Sequence, residues 1–488
     1  MATMFSLYPA DVEWNGRSVF SEDGVPVAAG PSLFTVVPSL AEGPNGEVTL
    51  TIHVPENQTS MWFQMKFTTE RLLARFEALD VGWAQLLWAE TLAMTPDERA
   101  RVEKAAEAIP EELPEDDAAL SAVLQSLVAT LLPLDRRAKQ MTVHCIGHSH
   151  IDMNWLWTWP DTVEVIKRDF RSVVQLMDEF PELTFSHSQA ATYEVVRQEE
   201  PELFARVLEL IKEDRWEPLS MTWVEGDVNM ASGEALARQL LEGIHYSREV
   251  LGYSPTTFHS PDTFGHSGNL PQLAVSAGAE RYYHHRANPG GVEPWPAYWW
   301  EGQDGTRLLA ISTPSYNGEI HARDLVAAAI RAHKAGHPCA LHFHGIGDHG
   351  GGPSRQNLRA LRRFQQTPLL PSARCSTTAA YTQELLHSGV PLPVHQGESS
   401  TIFEGCYTTH AEAKHYNRTC ENLLCSADAL TAMSGVAPSE ALTEAWRIVC
   451  FNQFHDIFDG SAIHETYEQT VKDCTQAMIA ATDAIYDA

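Results

Sequence analysis

Apolar positions recur with two different patterns along this 488-residue chain, and the pattern changes near residue 140. Before that point, short alternating stretches such as 47–54 are typical of strands. An Ala-rich, acidic segment of helical character follows and runs to about residue 139, interrupted by a polar loop at 110–117. We therefore predict an N-terminal accessory region over residues 1–139.

From residue 141 onward, short apolar strands alternate with amphipathic helices. Helical spacing is clear in Val163, Ile166, Phe170, Val173 and Met177, and a second helix begins at Pro201. The predicted strands are 141–147, 216–224, 256–260, 308–312 and 340–343. This alternation is typical of βα units that pack helices around a mostly parallel sheet. The fold class we predict is therefore α/β, with an irregular (β/α) barrel catalytic domain over residues 140–398.

The last part of the chain returns to long helices. Helical patterns cover 410–433, 439–452 and a final segment from about residue 463 to the end. We predict that these form a three-helix bundle domain over residues 399–488. The chain then has three domains, as expected because single cores stop growing at about 250 to 300 residues.

The net charge and the first residues of the chain limit the kinds of partner that we expect the protein to bind. The chain has 34 Lys and Arg against 64 Asp and Glu, a formal net charge of −30, which repels nucleic acid and anionic membrane surfaces. The first residues show no basic segment followed by an apolar one, and we find no run of about 18 apolar residues. We expect a cytoplasmic protein that binds neither nucleic acid nor membrane.

The cysteines do not predict a metal site. None of the eight forms a CxxC pair or a closely spaced quartet, so reduced structural thiols are the simplest interpretation.

The first candidate cluster follows the strand 141–147. His150 and Asp152 are two residues apart, so in extended backbone they project to the same side and can bind one ion. A single His is usually an ordinary polar residue, but here several polar groups and Trp155 end one strand together. We predict that this cluster binds a metal.

Two more clusters carry carboxylates. Asp227 follows the strand 216–224 and could act as nucleophile, base or ligand, although an isolated Asp there would more simply cap a helix. Asp348 lies in a glycine-rich stretch, 345–353. A phosphate-binding loop is the alternative there, but no GxxxxGK[ST] pattern is present, so an acid/base carboxylate is favoured.

The fourth cluster, 451–461, lies where a helix ends. His455 could supply the last nitrogen ligand of a metal site, or could be an ordinary surface residue. Between the second and third clusters lies the segment 260–267, which contains Asp262 and His266.

In this order, the clusters resemble the class II α-mannosidases of glycoside hydrolase family 38, most closely the cytosolic and bacterial branch. The resemblance rests on GHSHIDMNW at 147–155, WVEGDVN at 223–229, SPDTFGHSGNLPQL at 260–273, GIGDHGGGP at 345–353 and NQFHDIFDGS at 452–461. EGCYTTHAEAKHYNR at 404–418 also resembles the entry to the helical domain of that branch. The resemblance covers roughly residues 140–488.

The resemblance implies a retaining α-mannosidase that forms a covalent glycosyl-enzyme. A divalent metal, usually Zn²⁺ with Co²⁺ as an alternative, would be held by His150, Asp152, Asp227 and His455. Asp227 would also be the nucleophile and Asp348 the general acid/base. Trp155 would stack under the sugar, and Asp262, His266 and Asp456 would bind the substrate, a mannose-containing oligosaccharide.

The sequence departs from the family in two ways. The family's large β-rich C-terminal region has no counterpart here, and the match is poor before about residue 60. We therefore expect an apolar surface on the last helix, covered by such a C-terminal region or by a second copy of the chain. Two other functions stay open: a metal-dependent carbohydrate deacetylase, and an inactive sugar-binding module.

Overall fold

The computed structural model describes residues 70–488 except positions 292, 293, 346, 348, 349, 401, 436 and 438. It gives the backbone alone at Glu70 and Leu72, and before residue 70 only the backbone of six strands. These strands are β1 Ala2–Leu7, β2 Asp11–Trp14, β3 Arg17–Ser18, β4 Ser32–Val36, β5 Leu50–His53 and β6 Gln64–Thr68. They pair antiparallel in two small sheets, with orders β4-β1-β6 and β3-β2-β5.

Four helices connect this region to the central domain. They are α1 Glu70–Leu92, α2 Pro96–Glu107, α3 Asp117–Leu131 and α4 Asp135–Ala138, with a 3-10 turn at Leu132–Leu134. Trp88 and Leu92 of α1 share a core with Leu325 and Val326 of the central domain. The continuous helical stretch Asp117–Ala138 is long and apolar enough, by length and composition alone, to cross a membrane, but a single such helix is weak evidence for a membrane span.

The central domain contains ten strands and eight helices among the described residues. The strands are β7 Thr142–His148, β8 Phe185–His187, β9 Trp216–Pro218, β10 Thr257–Ser260, β11 Arg281–His284, β12 Ala297–Glu301, β13 Arg307–Ser312, β14 Cys339–His344, β15 Ser372–Cys375 and β16 Val394–Gln396. The helices are α5 Trp159–Glu179, α6 Ala190–Glu199, α7 Pro201–Lys212, α8 Gly233–Glu249, α9 Leu270–Ser276, α10 Ala322–Lys334, α11 Arg355–Gln366 and α12 Thr378–His387.

These strands form two mostly parallel sheets. The first has the order β14-β7-β8-β9, with β15 also paired to β7, and every pairing in it is parallel. The second has the order β10-β11-β13-β12-β16, in which only β12 and β13 pair antiparallel. A single parallel bridge, Val228 to His266, links the segments that follow β9 and β10. The predicted α/β class with a mostly parallel sheet is confirmed, and among the described residues the strands do not close into a continuous barrel.

Local sequence explains how strand ends meet helix starts around the site. All residues of β7 after Thr142 are buried, as expected for a central parallel strand covered on both faces. Helix α5 begins eleven residues after the end of β7, at a capping box in which Thr158 and Asp161 satisfy each other's backbone amides. Helix α8 begins where the Ser232 side chain accepts a hydrogen bond from the Ala235 amide. The short loops between these elements carry the polar clusters.

The C-terminal part is helical, as predicted. It contains α13 Ala411–Ser434, α14 Glu440–Asn452, the short α15 His455–Asp459 and α16 His464–Asp487. The three long helices share one core, in which Leu424 and Ala427 of α13 meet Trp446 and Val449 of α14 and Ala477 of α16. The short helix α15 sits between α14 and α16 and places His455 against the central domain.

Candidate metal and carbohydrate site

The structure brings four predicted site residues into one buried group. His150 and Asp152 follow β7, Asp262 follows β10, and His455 begins α15. One ligand atom from each lies within 4.8 Å of the others, and each residue is at most 7% exposed. Two imidazoles and two carboxylates in this arrangement form a candidate site for a divalent metal.

The distances show that the four side chains face one another. Nε2 of His150 lies 3.0 Å from Oδ1 of Asp152 and 3.7 Å from Oδ2 of Asp262. Nε2 of His455 lies 3.5 Å and 3.7 Å from the same two oxygens. Nε2 of His455 makes no hydrogen bond to any described residue although it is buried. A buried imidazole nitrogen aimed at two carboxylates fits a metal ligand.

Burial and charge set the protonation of this group. Burial lowers the pKa of the His150 imidazole, but the charges of Asp152 and Glu225 outweigh it and raise the pKa to about 10. The pKa of His455 is also raised, because Asp456, Asp152 and Asp262 together outweigh burial. Burial opposes ionisation of Asp152, but the charge of His150 lowers its pKa. The two imidazoles can carry two protons against the two carboxylates, and one divalent cation can replace those protons without a change in net charge.

Glu225 contacts both imidazoles at Nδ1, the ring nitrogen that does not face Asp152 and Asp262. Its Oε2 lies 3.4 Å from Nδ1 of His150, and its backbone carbonyl accepts a hydrogen bond from Nδ1 of His455 at 3.0 Å. Its Oε1 accepts hydrogen bonds from the amides of Asp262 at 2.6 Å and Thr263 at 3.0 Å. Such partners fix which ring nitrogen faces a metal. Glu225 was not among the predicted site residues, although it lies two residues before Asp227.

Arg286 is a second residue that the sequence did not indicate. Its guanidinium pairs with Oδ1 of Asp262, so the other carboxylate oxygen is left to face the two imidazoles. The guanidinium also lies over the rings of Phe264 and Phe403, at 5.6 Å and 5.0 Å. No motif surrounds Arg286 in the sequence, and only the fold brings it to the site.

Asp227, the fourth metal ligand in the sequence prediction, is not part of the four-residue group, and its role as a ligand stays a prediction. Oδ1 of Asp227 turns back to accept the amides of Asn229 at 3.0 Å and Met230 at 2.5 Å. The rest of the carboxyl group interacts with the buried carboxyl of Asp459, whose pKa is raised by burial and by Asp227. Asp262 supplies the second carboxylate of the group that the structure brings together. Asp227 still lies beside the group, because Gly226 pairs with Phe454, which precedes His455.

The predicted substrate-binding residues surround the group in different ways. Trp155 is partly exposed and lies edge-on to Trp157 at 5.6 Å. Oδ2 of Asp456 lies 3.5 Å from Nε2 of His455, and burial together with the charge of Asp152 raises the pKa of Asp456 to about 8. His266 is fully packed instead, with its ring nitrogens near the Tyr282 hydroxyl and the Arg286 carbonyl.

The predicted acid/base residue, Asp348, lies outside the described residues, so its distance from Asp227 stays a prediction. The glycines that flank it are described and lie close to the candidate metal site. The amide of Gly350 donates to the His150 carbonyl at 3.1 Å. Asp169 of α5 accepts hydrogen bonds from both the Gly351 amide and the Ser149 hydroxyl. A Cβ at Gly350 would lie 2.1 Å from Oδ2 of Asp169, so only glycine fits there.

We expect Glu225→Gln to weaken the binding of a divalent metal at this candidate site about 10- to 100-fold, the usual cost of losing an outer partner of a metal-bound His. Gln has nearly the same shape but lacks the charge that holds Nδ1–H of His150. Competition with a chromophoric chelator measures the affinity. Glu242→Gln is the matched control, because Glu242 is also buried but pairs with Arg447. Equal affinities for wild type and Glu225→Gln would show that the carboxylate does not orient His150.

Comparison with known proteins places these residues in a family. The model of the glycosyl hydrolases family 38 N-terminal domain matches residues 140–399, and the model of the alpha mannosidase middle domain matches residues 401–488. Alpha-mannosidase 2C1 from Homo sapiens is 33% identical over 363 residues, which cover 72% of this chain and 35% of that protein. Alpha-mannosidase from Saccharomyces cerevisiae is 31% identical over 364 residues, covering 68% of this chain and 34% of that protein.

A solved structure of an alpha-mannosidase from Enterococcus faecalis V583 shares the fold. It superimposes with a TM-score of 0.64 at 20% identity, over 71% of this chain and 42% of that one. At this identity the similarity establishes the fold alone. The chain spans about a third of the length of the two sequence relatives, at 35% and 34% of each.

Proposed function

This chain belongs to family 38 of the glycosyl hydrolases, and we propose that it carries the active site of a retaining α-mannosidase. The observation that carries the proposal is the family match over residues 140–399, which contains three of the four residues of the buried group, His150, Asp152 and Asp262. The sequence relatives named above are α-mannosidases. The proposed substrate is therefore a terminal α-linked mannose of an oligosaccharide or mannoside.

We propose that the buried group binds Zn²⁺ through His150, Asp152, Asp262 and His455. A zinc ion held there would act as a Lewis acid and template for the sugar hydroxyls. The donor set of two nitrogens and two oxygens is within the range that zinc accepts. Co²⁺ is the alternative ion because the same ligands suit it.

The chain's own carboxylates would perform the bond-making steps. Asp227 attacks the anomeric carbon of mannose and forms the glycosyl-enzyme, while Asp348 protonates the leaving oxygen and then removes a proton from water. Retention requires these two carboxyl groups to lie about 5 to 5.5 Å apart. The hydrogen bonds from two backbone amides to Asp227 support its ionised form against the effect of burial.

Trp155 and Asp456 would contact the sugar, whereas Asp262 and His266, which the sequence also predicts to bind substrate, would act on it indirectly. The partly exposed ring of Trp155 offers an apolar face, on which a sugar ring can stack. Asp456 is held by the Ser461 hydroxyl at 2.5 Å and, with its raised pKa, can donate a hydrogen bond to a sugar hydroxyl when it is protonated. His266 would act indirectly, because its ring contacts the Arg286 carbonyl and the Arg286 guanidinium in turn pairs with Asp262.

The test is hydrolysis of chromogenic α-mannosides by the purified chain with zinc added and with zinc removed by a chelator. We expect zinc-dependent release from α-mannosides and none from β-mannosides or α-glucosides. Nuclear magnetic resonance should show α-mannose as the first product, since retention keeps the configuration. Release of acetate from acetylated sugars would favour a deacetylase, and mannose binding without turnover would favour an inactive sugar-binding module. Zinc-independent turnover would contradict the proposal.

Three further predictions stay proposals. They are the division of the chain at about residues 139 and 399, a cytoplasmic location, and a C-terminal β-rich region or second copy that covers the last helix. The proposal that another region or copy covers the last helix is supported by the exposure of Ile479 and Tyr486 on α16, at 57% and 85%.

A further inference from the structure

A second group of metal-ligand side chains lies apart from the candidate active site. It consists of His144 on β7, Cys339 on β14 and Glu384 on α12, whose ligand atoms all lie within 4.8 Å of one another. His144 and Cys339 are fully buried, and the Glu384 side chain is 35% exposed, so the group reaches solvent on one side. Sequence spacing gave no sign of this group, because its members are spread over 240 residues.

The strand register explains why these residues meet. In the parallel pair β7 and β14, Cys339 lies opposite Thr142, and His144 is two residues further along the same strand as Thr142. Side chains two residues apart share a face, so Cys339 and His144 project from the same side of the first sheet. Helix α12 covers that side, where its Tyr381 and Leu385 pack in one core with Cys339 and Leu341.

The group is also well separated from the candidate active site. His144 is the third residue of β7, whereas His150 and Asp152 follow the other end of the same strand. The four residue steps along the strand from His144 to His148 span about 13 Å. The two groups therefore do not share ligands or ions.

We propose that His144, Cys339 and Glu384 form a second divalent-metal site, suited to zinc, that fixes helix α12 to the first sheet. An imidazole, a thiolate and a carboxylate are the three ligand types that zinc accepts, and a water molecule can complete a tetrahedral site. When the ion binds, the Cys339 thiol forms a metal–sulfur bond and releases its proton to solvent, with no change in oxidation state.

The surroundings of His144 hold its ring in the orientation that such a site needs. Nδ1 lies 2.7 Å from the Ser376 hydroxyl, and Nε2 lies 3.1 Å from Oε2 of Glu384. When Nδ1–H donates to Ser376, the lone pair of Nε2 points toward the other two ligands. Burial lowers the pKa of His144, so its ring is neutral, and burial raises the pKa of Cys339 to about 12, so its thiol stays protonated until a metal binds.

One neighbour opposes the ion. The Arg374 guanidinium donates to Oε2 of Glu384 at 2.8 Å from a side chain that is 55% exposed. The simpler account of the group is therefore a His–Glu–Arg hydrogen-bond network next to a buried thiol. The two accounts differ at Arg374, because removal of its charge strengthens a metal site but only weakens a hydrogen-bond network.

Cobalt(II) distinguishes this site from the candidate active site, because only a thiolate ligand gives an intense sulfur-to-cobalt charge-transfer band. We expect the zinc-free, reduced wild-type chain to bind two cobalt ions and to show this band. Cys339→Ser should bind one cobalt ion and lose the band, while zinc-dependent hydrolysis stays unchanged. Cys425→Ser is the matched control, because Cys425 is exposed and its loss should leave the band intact.

Three further variants keep the test decisive if Cys339→Ser does not fold. Glu384→Gln changes a partly exposed helix residue and should weaken the cobalt that gives the band at least about 10-fold. Arg374→Ala should bind that cobalt more tightly than the wild type. In His455→Ala, the band and one cobalt ion should remain. No charge-transfer band in the wild type, or a band that survives in Cys339→Ser, would each overturn the proposal, whereas one cobalt per wild-type chain together with the band would count against metal binding at the candidate active site instead.

Discussion

Asp227→Asn is expected to lower mannoside turnover by roughly 10⁴-fold or more, because without a carboxylate nucleophile no glycosyl-enzyme can form. The variant should still fold and should still bind zinc, since in the structure Asp262 and not Asp227 contributes the second carboxylate to the buried group. Turnover is measured with an activated aryl α-mannoside, and zinc with a metal assay on the same preparation.

Asp262→Asn should differ from Asp227→Asn in its effect on zinc. It should lose zinc as well as activity, because its carboxylate faces both imidazoles at 3.7 Å. A fluorinated mannoside that traps the intermediate should label Asp227 in the wild type and leave Asp227→Asn unlabelled. If Asp227→Asn loses zinc while Asp262→Asn keeps it, the ligand set predicted from the sequence is right and the arrangement in the structure is not.

Much of the fold was predictable because the central elements follow simple hydrophobic patterns. The strand expected at 141–147 is β7, Thr142–His148, and the helix expected from spacing around Phe170 is α5, Trp159–Glu179. The strand expected at 216–224 is much shorter and ends at Pro218. Proline has no amide hydrogen for the ladder, and the buried residues after it follow an irregular, bent path instead. Continuous apolar character did not distinguish a buried strand from a buried loop.

The candidate site was predictable to a smaller extent. His150, Asp152 and His455 were named from motifs, and the structure places them together with Asp262. Asp262 joins this group and Asp227 does not because their side chains point in different directions. The direction of the Asp227 side chain is set by the hydrogen bonds that its Oδ1 accepts from the amides of Asn229 and Met230. The sequence could not reveal the buried Asp459 that faces Asp227, because only the approach of the fourth cluster to the second brings them together.

His455→Ala is the second change with a large expected effect. It removes one of four ligands, and since loss of an outer partner alone costs about 10- to 100-fold in metal affinity, loss of a direct ligand should cost at least about 100-fold. Activity should fall with the bound zinc. His455 also has a packing role, because Nδ1 is bonded to the Glu225 carbonyl and the ring is fully buried. The thermal unfolding of zinc-free protein therefore has to be compared as well, so that a loss of fold is not mistaken for a loss of metal.

The measurement is a zinc titration in the Cys339→Ser background, which counts only the ions held by the buried group. His464→Ala is the control, since that side chain is 81% exposed on α16 and should change neither zinc nor activity. Excess zinc should restore part of the activity of His455→Ala if His150, Asp152 and Asp262 still form a weaker three-ligand site. Full zinc occupancy at stoichiometric metal in a folded His455→Ala protein would remove His455 from the ligand set. The position of its Nε2 near both Asp152 and Asp262 would then reflect ion pairing and not metal binding.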